Sequence, residues 1–334
     1  MGEVLLAMRQ EGTFIRTFAM KRLHPHLRED AEVRGMFLDE ARIAGLLAHP
    51  HLVSVVDVGE SEEGPFLVMD YVEGVSIAAL IEKVASQHQQ IPLGFALHVA
   101  RQAAHGLKSA HETTGLEGEP LKLVHRDISP HNILFGYDGI TRLTDFGIAR
   151  AIGRTQETST GILKGKLGYM SPEQLSFQGQ DQRSDLFSFG VTLFELLTAG
   201  RLYPTKDGEQ TARRILHEPP PDILDFRDDA PPELAELLFQ LLAKEPRFRP
   251  ESAGQVAETL DELATALAEE EGSFDASGYV QKMFALEREE EAKLLRESLS
   301  KRDREPLAPP SHSRASSSLA MWSAAAAACV GFGV

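Results

Sequence analysis

Asp127, Asn132 and Asp145 are side chains of the types that hold a divalent cation and take up a proton, and they lie close together in the chain. The first two sit in the run HRDISPHN (125–132), and the third opens Asp145-Phe146-Gly147. Between the runs, ILFGYDGITRLT places two short β-prone stretches around Asp138-Gly139, which is the signature of a hairpin. A carboxylate, an amide and a second carboxylate are then presented from loops at the ends of one hairpin. Asn132 and Asp145 offer hard oxygen ligands, and Asp127 can take a hydroxyl proton. The combination suits Mg2+ and phosphate.

A second constellation lies upstream. Phe18-Ala19-Met20-Lys21 reads as a strand, and period two puts Ala19 and Lys21 on one face. Residues 30–47 carry Val33, Met36, Phe37, Glu40, Ala44 and Leu47 at helical spacing, so Glu40 falls on an apolar stripe. A buried carboxylate needs a cation. A lone lysine on a strand is ordinarily a solvated edge residue, and the inward Glu40 argues against that here.

The elements that must position these groups fall into two parts. Residues 3–7 and 13–21 are apolar runs separated by the turn-like MRQEGT, and residues 52–58 and 65–72 read as two further strands. From about residue 75 the pattern turns helical, with small and apolar residues at helical spacing over 93–111 and amphipathic helices over 232–244 and 252–268. LFSFGVTLFELL (186–197) is apolar nearly all round, the mark of a helix buried on every side. After Leu267 the composition shifts to a charged stretch reaching about Arg304, then to the Pro/Ser-rich PLAPPSHSRASSS, a linker composition. Residues 319–334 carry no charge and follow Arg302, Arg304 and Arg314. They are expected to begin a membrane span.

The chain has 334 residues, and 34 Lys+Arg against 50 Asp+Glu give a net charge of -16. That balance disfavours nucleic acid as a partner. The N-terminus lacks the basic and apolar regions of a secretory signal. The single cysteine, Cys329, excludes an internal disulfide. The histidines are scattered without metal-ligand spacing, and no Cys/His cluster supports zinc.

HRDISPHN, DFG, GYMSPE (168–173) and QRSDLFSFG (182–190) together resemble the eukaryotic-like (Hanks-type) protein kinases, in particular the bacterial Ser/Thr kinases. The resemblance runs from residue 2 to about residue 267. It implies an α+β, bilobal protein-kinase fold with ATP between the lobes. The small β-rich N-lobe would span about 1–72 and the larger helical C-lobe about 73–267, with a charged helical neck over 268–304 and a linker over 305–318. By this resemblance Asp127 is the catalytic base and Asn132 and Asp145 hold Mg2+. Lys21 pairs with Glu40 and reaches the α/β-phosphates of ATP. FLVMDYVEG (66–74) would be the hinge: Met69 is the gatekeeper, backbone groups around Asp70 to Val72 bond adenine, and Ala19 belongs to the same nucleotide site. Glu173 would pair with Arg249, and Asp185 would accept backbone N–H groups of the catalytic loop, a role compatible with capping its helix.

Three departures stand out. Only the end of the glycine-rich nucleotide loop is present: Gly2 and Val4 match its last Gly and its Val, so the first strand of the N-lobe is missing. Met1 coincides with an internal Met of the pattern, and a start further upstream is expected. Ser129 stands where most Ser/Thr kinases have Lys, and Lys166 where they usually have Thr. The two residue types are exchanged, which makes Lys166 a candidate catalytic cation. The expected activity is transfer of the ATP γ-phosphoryl group to Ser/Thr hydroxyls of proteins in bacterial signal transduction. Autophosphorylation, through a homodimer, would fall on Thr158 or Thr160 beside Thr155 and Ser159, with Arg126 as the phosphate's cationic partner. The kinase lobes would face the cytoplasm beneath an anchor in the inner (plasma) membrane. A pseudokinase is the rival motivated by the cut loop. A small-molecule phosphotransferase is the weaker rival, because it would lack GYMSPE and the SDLFSFG helix.

Overall fold

The computed structural model describes residues 2–11, 14–115, 117–146, 166–204, 207–302 and 323–324. Its N-terminal part is an antiparallel sheet of β1 (Gly2–Glu11), β2 (Phe14–Leu23), β3 (Val55–Ser61) and β4 (Gly64–Asp70), in the order β3-β4-β2-β1. Ser323–Ala324 pairs with Ala7 and Met8 on the outer side of β1. Along β2 and β4 the alternation divides the side chains between two faces. Phe18, Met20, Phe66 and Val68 form one apolar cluster with Ala7. Leu23, Leu67 and Met69 form the other with Phe37, Ala41 and Val53.

β1 runs to Glu11, so Met8, Arg9 and Gln10 belong to the strand and not to the expected turn. The pairing continues until Glu11 faces Phe14. That register leaves two residues for the connection, the commonest hairpin length. Met8 is fully buried, and its burial outweighs the polar, turn-like composition of its neighbours.

α1 (Ala31–Ala44) starts at Asp30, whose side chain accepts the N–H groups of Glu32 and Val33, and so satisfies two of the helix's orphan donors. It lays Met36, Phe37, Glu40 and Ala41 inward against the β2/β4 face that carries Ala19 and Lys21.

The C-terminal part is built around two helices. α2 (Leu93–His111) occupies its predicted span. The helix Gln182–Thr198 is buried at every position from Ser184 to Leu197, as its all-round apolar pattern requires. A three-stranded sheet of β5 (Gly74–Ser76), β6 (Ile133–Gly136) and β7 (Thr141–Leu143) packs through β7 against the first of these helices. β6 and β7 form the expected hairpin, with Gly139 at φ +82° in its turn, a conformation glycine adopts without penalty.

The helix Ala253–Glu271 packs along α2. The charged stretch that follows returns to the molecule. Ala276, Val280 and Phe284 are buried in the main core, and Phe274 and Tyr279 lie against the Phe95 ring, with centroids 6.4 and 5.1 Å away. The next helix, Ala285–Arg302, passes the segment that joins the two parts. Glu287 meets Lys83 and Glu291 meets the Tyr71 hydroxyl. Arg288 reaches Glu73 at 3.8 Å and covers the Tyr137 ring at 5.0 Å. No helix among the described residues is long and apolar enough to cross a membrane. Apart from Ser323–Ala324, the expected span 319–334 lies outside the described residues.

Candidate active site

Lys21 is the centre of the N-terminal half of the site. Its Nζ donates to Glu40 Oε1 and to Asp145 Oδ1, each at 2.8 Å. The strand supplies the lysine, α1 the glutamate, and the end of the β6–β7 hairpin the aspartate. Burial would lower the Lys21 ammonium, but Asp145 and Glu40 hold it well above the usual lysine value. Burial pushes Glu40 up against the pull of Lys21. It pushes Asp145 up as well, yet there the Lys21 ammonium, with Lys166 beyond it, holds the carboxyl below the usual carboxylate range. Of the two carboxylates on Lys21, Asp145 is therefore the readier anion.

The catalytic-loop half hangs on Asp185. Its Oδ2 accepts the His125 N–H and its Oδ1 the Arg126 N–H, both at 2.7 Å. His111 Nε2 is 2.8 Å from Oδ2. The cap of this helix is Asp181, whose side chain takes the Arg183 N–H; Asp185 lies one turn in and serves the loop and His111. Arg126 and Asp145 both adopt left-handed backbone, at φ +64° and +56°. Such strain in residues other than glycine persists where surrounding bonds over-determine it. The His125 ring lies tilted against Phe146, with centroids 4.3 Å apart, and burial keeps His125 below the usual histidine range. The Asp127 N–H donates to His125 Nδ1 at 3.3 Å.

Asp127 is then fixed from two sides. Asn132 Nδ2 donates to its backbone oxygen and to Oδ2, both at 2.8 Å. Lys166 Nζ donates to the same Oδ2 at 2.7 Å. With its amide N–H groups so used, Asn132 keeps its carbonyl oxygen as a ligand. Asp145 keeps Oδ2, since Lys21 bonds to its Oδ1. Two hard oxygens from an amide and a carboxylate suit a Mg2+ ion that takes its remaining ligands from phosphate and water. Among the described residues there is no cluster of three His, Cys, Asp or Glu fit to hold a metal unaided.

The side of the site expected to take adenine is apolar. Ala19, Val72 and Leu134 pack against the cluster containing Met69, and Ala19 lies opposite Met69 across the β2–β4 pair. The Asp70 side chain is exposed and its N–H donates to the Ser54 carbonyl at 3.0 Å. Val72 makes no backbone hydrogen bond to another described residue, which leaves its N–H and carbonyl for a ligand. Val4 faces Lys21 across β1 and β2. Gly2 sits opposite Leu23, and a Cβ there would come within 2.5 Å of the Arg22 carbonyl.

Sequence reasoning missed Leu134. Period two on β6 separates it from the buried Ile133 and Phe135 and turns it toward Ala19 and Val72, a signal the sequence did carry. It also set His111 aside among scattered histidines, and nothing local marks its bond to Asp185. Beside the catalytic loop a cleft of about 510 Å³ is lined by Ser76, Glu82, His131, Tyr169, Glu195 and Arg201. Tyr169 fixes its floor: its hydroxyl donates to Glu195 Oε2 and its carbonyl accepts the Ser188 hydroxyl, both at 2.7 Å. Gly147 and the hydroxyls of Thr155, Thr158, Ser159 and Thr160 lie outside the described residues.

Known proteins resemble this chain in sequence and fold. The chain is 35% identical over 293 residues to the tyrosine-protein kinase MasK of Myxococcus xanthus, covering 86% of this chain and 45% of that one. It is 31% identical over 276 residues to the serine/threonine-protein kinase PrkC of Bacillus subtilis, covering 83% and 39%. The chain thus spans less than half the length of these curated relatives. The crystal structure of the PknI kinase domain of Mycobacterium tuberculosis superposes with a TM-score of 0.58 at 28% identity, covering 79% of this chain and 91% of that one. The family model described as the protein kinase domain matches residues 1–260, and with these relatives it places the chain in the protein kinase family.

Proposed function

We propose that the chain is a protein Ser/Thr kinase that moves the γ-phosphoryl group of ATP to a protein hydroxyl with Mg2+. One observation carries this reading: Lys21, Glu40 and Asp145 converge on one ammonium while Asn132 and Lys166 converge on Asp127. These are two preformed charge clusters, one for phosphates and one for a hydroxyl. Bound Mg2+, held by Asn132 and Asp145, would neutralise the charge of the phosphate oxygens. Lys21 orients the α/β-phosphates, and Glu40 keeps the Lys21 ammonium in place. Ala19, Met69, Val72 and Leu134 hold adenine, with Val4 on the same side of the cleft. Asp127 aligns the substrate hydroxyl and takes its proton. Catalysis on this plan is positioning and electrostatics. The intact lysine, base and ligand set favours a working enzyme over a pseudokinase.

The test is incubation of the chain with ATP, Mg2+ and a general protein substrate, followed by phosphoamino-acid analysis. Phosphoserine and phosphothreonine are expected, with label on the chain itself between residues 155 and 160, and chelation of the metal is expected to stop transfer. Phosphotyrosine as the main product would assign the specificity named for MasK instead. Homodimerisation for self-phosphorylation and a membrane anchor at 319–334 belong to the same proposal, and fractionation of the cell expressing the gene tests the anchor.

A further inference from the structure

We infer that Lys166 supplies the cation that faces the transferring phosphoryl group, a task the catalytic loop leaves open at Ser129. The inference rests on the kinase reading above and deepens it. Its starting point is the 2.7 Å bond from Lys166 Nζ to Asp127 Oδ2. The hydroxyl that is phosphorylated must sit within hydrogen-bond reach of that carboxylate, at about 2.6–3.2 Å. The new oxygen–phosphorus bond forms on the same hydroxyl. An ammonium fixed on Oδ2 is therefore adjacent to the equatorial phosphoryl oxygens, where charge accumulates.

The placement is built. Lys166 immediately precedes the short turn Leu167–Tyr169. Tyr169 ties that turn to the buried helix Gln182–Thr198 through Glu195 and Ser188. The Lys166 side chain is 19% exposed, so its ammonium is shielded from water on most sides. Such a preorganised charge acts without reorganisation during reaction.

The catalytic loop offers no competing cation at the corresponding place. Ser129, two residues after Asp127, is 1% exposed, and its Oγ has no hydrogen-bond partner among the described residues. A buried hydroxyl without a partner is uncommon.

The step balances as follows. The substrate hydroxyl oxygen forms a bond to the γ-phosphorus while the bond from that phosphorus to the bridging oxygen breaks. ADP leaves with the electron pair of that bond, and the hydroxyl proton goes to Asp127. Lys166 gains and loses nothing; its charge is matched to the phosphoryl oxygens.

The test uses the full 334-residue chain and three proteins: unaltered, Lys166→Met, and Ser129→Lys with Lys166→Thr. Methionine keeps an unbranched stem and removes the charge. Two quantities are read: kcat with ATP and Mg2+, and the gain in ADP affinity when aluminium fluoride is added as a mimic of the transferring phosphoryl group. Lys166→Met is expected to lower kcat at least tenfold, about 1.4 kcal/mol, and to reduce the fluoride-dependent gain by a similar factor. ADP affinity without fluoride should stay within threefold. The double variant should recover most of both losses. A kcat and a fluoride gain in Lys166→Met within twofold of the unaltered chain would overturn the inference while leaving the kinase reading intact. So would a fall that the double variant, still folded by its melting profile, does not recover. If the double variant does not fold, the fluoride gain in Lys166→Met decides alone. Failure of the unaltered chain to bind ADP at all would overturn both.

Discussion

Replacing Arg249 with methionine is expected to destabilise the chain by about 3–5 kcal/mol, the usual cost of breaking a buried ion pair from one side. The Arg249 guanidinium holds both oxygens of Glu173, at 2.7 and 2.8 Å, and also donates to the carbonyls of Arg183, Ala243 and Lys244. Its side chain is fully buried, and Ser184 adds a further bond to Glu173. Removing the cation leaves a buried carboxylate with only the Ser184 hydroxyl and takes a donor from each of three carbonyls. Urea unfolding at unchanged slope is the measurement, and the Glu173→Met, Arg249→Met double variant should lose less than the two single losses combined.

The same pair predicts a pH signature. Burial pushes the Glu173 carboxyl up, but the Arg249 fork outweighs it and holds the group below the usual carboxylate range. A folded-state value below the unfolded one, about 4.3, means that the unfolded chain binds the proton first as acid is added. The pair's contribution is therefore complete above about pH 5 and is lost as pH falls through the depressed value. The stability gap between the unaltered chain and Arg249→Met should narrow on going from pH 7 toward pH 4. An equal gap at both would mean that the guanidinium acts by packing alone.

The second large effect is catalytic. Asp145→Ala is expected to lower kcat at least a hundredfold, about 2.7 kcal/mol, with the fold retained. Asp145 is both a Mg2+ ligand in the proposed site and one of two anions on Lys21. Its loss removes a cation ligand, and it also lets Lys21 turn wholly to Glu40. The Lys21–Glu40 pair survives, so the melting temperature should change little while metal-dependent ATP binding weakens. A variant that keeps more than a tenth of its kcat would take Asp145 out of the metal site.

Several features were legible in the sequence because each is a local pattern. A charged residue on an apolar helical stripe exposed Glu40, and an Asp-Gly turn between two β runs exposed the hairpin that separates Asn132 from Asp145. An apolar run with no polar face announced the buried helix Gln182–Thr198. The features that escaped depend on pairing across long separations. Nothing near Glu11 says that it faces Phe14, so the polar MRQEGT reads as a turn until the register is known. The charged stretch after Leu267 is only weakly amphipathic, and the short stripe Ala276, Val280 and Phe284 does not say which surface it docks on. Its far half is held by Glu291 and Tyr71, which stand 220 positions apart. Lys166 and Asp127 were each visible as a residue type, but the contact that joins them across 39 positions was not.

That late helix has unequal attachments at its two ends. Its root is fastened by Val280 and Phe284, which are shut away from water and so are indifferent to dissolved salt. Its further turns are fastened through Glu287, Arg288 and Glu291, and the Glu287 and Arg288 contacts reach solvent. Exposed ion pairs are weak, about 0–1 kcal/mol each, and fade as ionic strength rises. The helix is thus a lever hinged at Phe284, whose free arm rests on Tyr71 and Glu73. Added salt should release the arm before the root, so hydrogen exchange should quicken first in its last turns and beside Tyr71 and Glu73, with the core beneath it still closed.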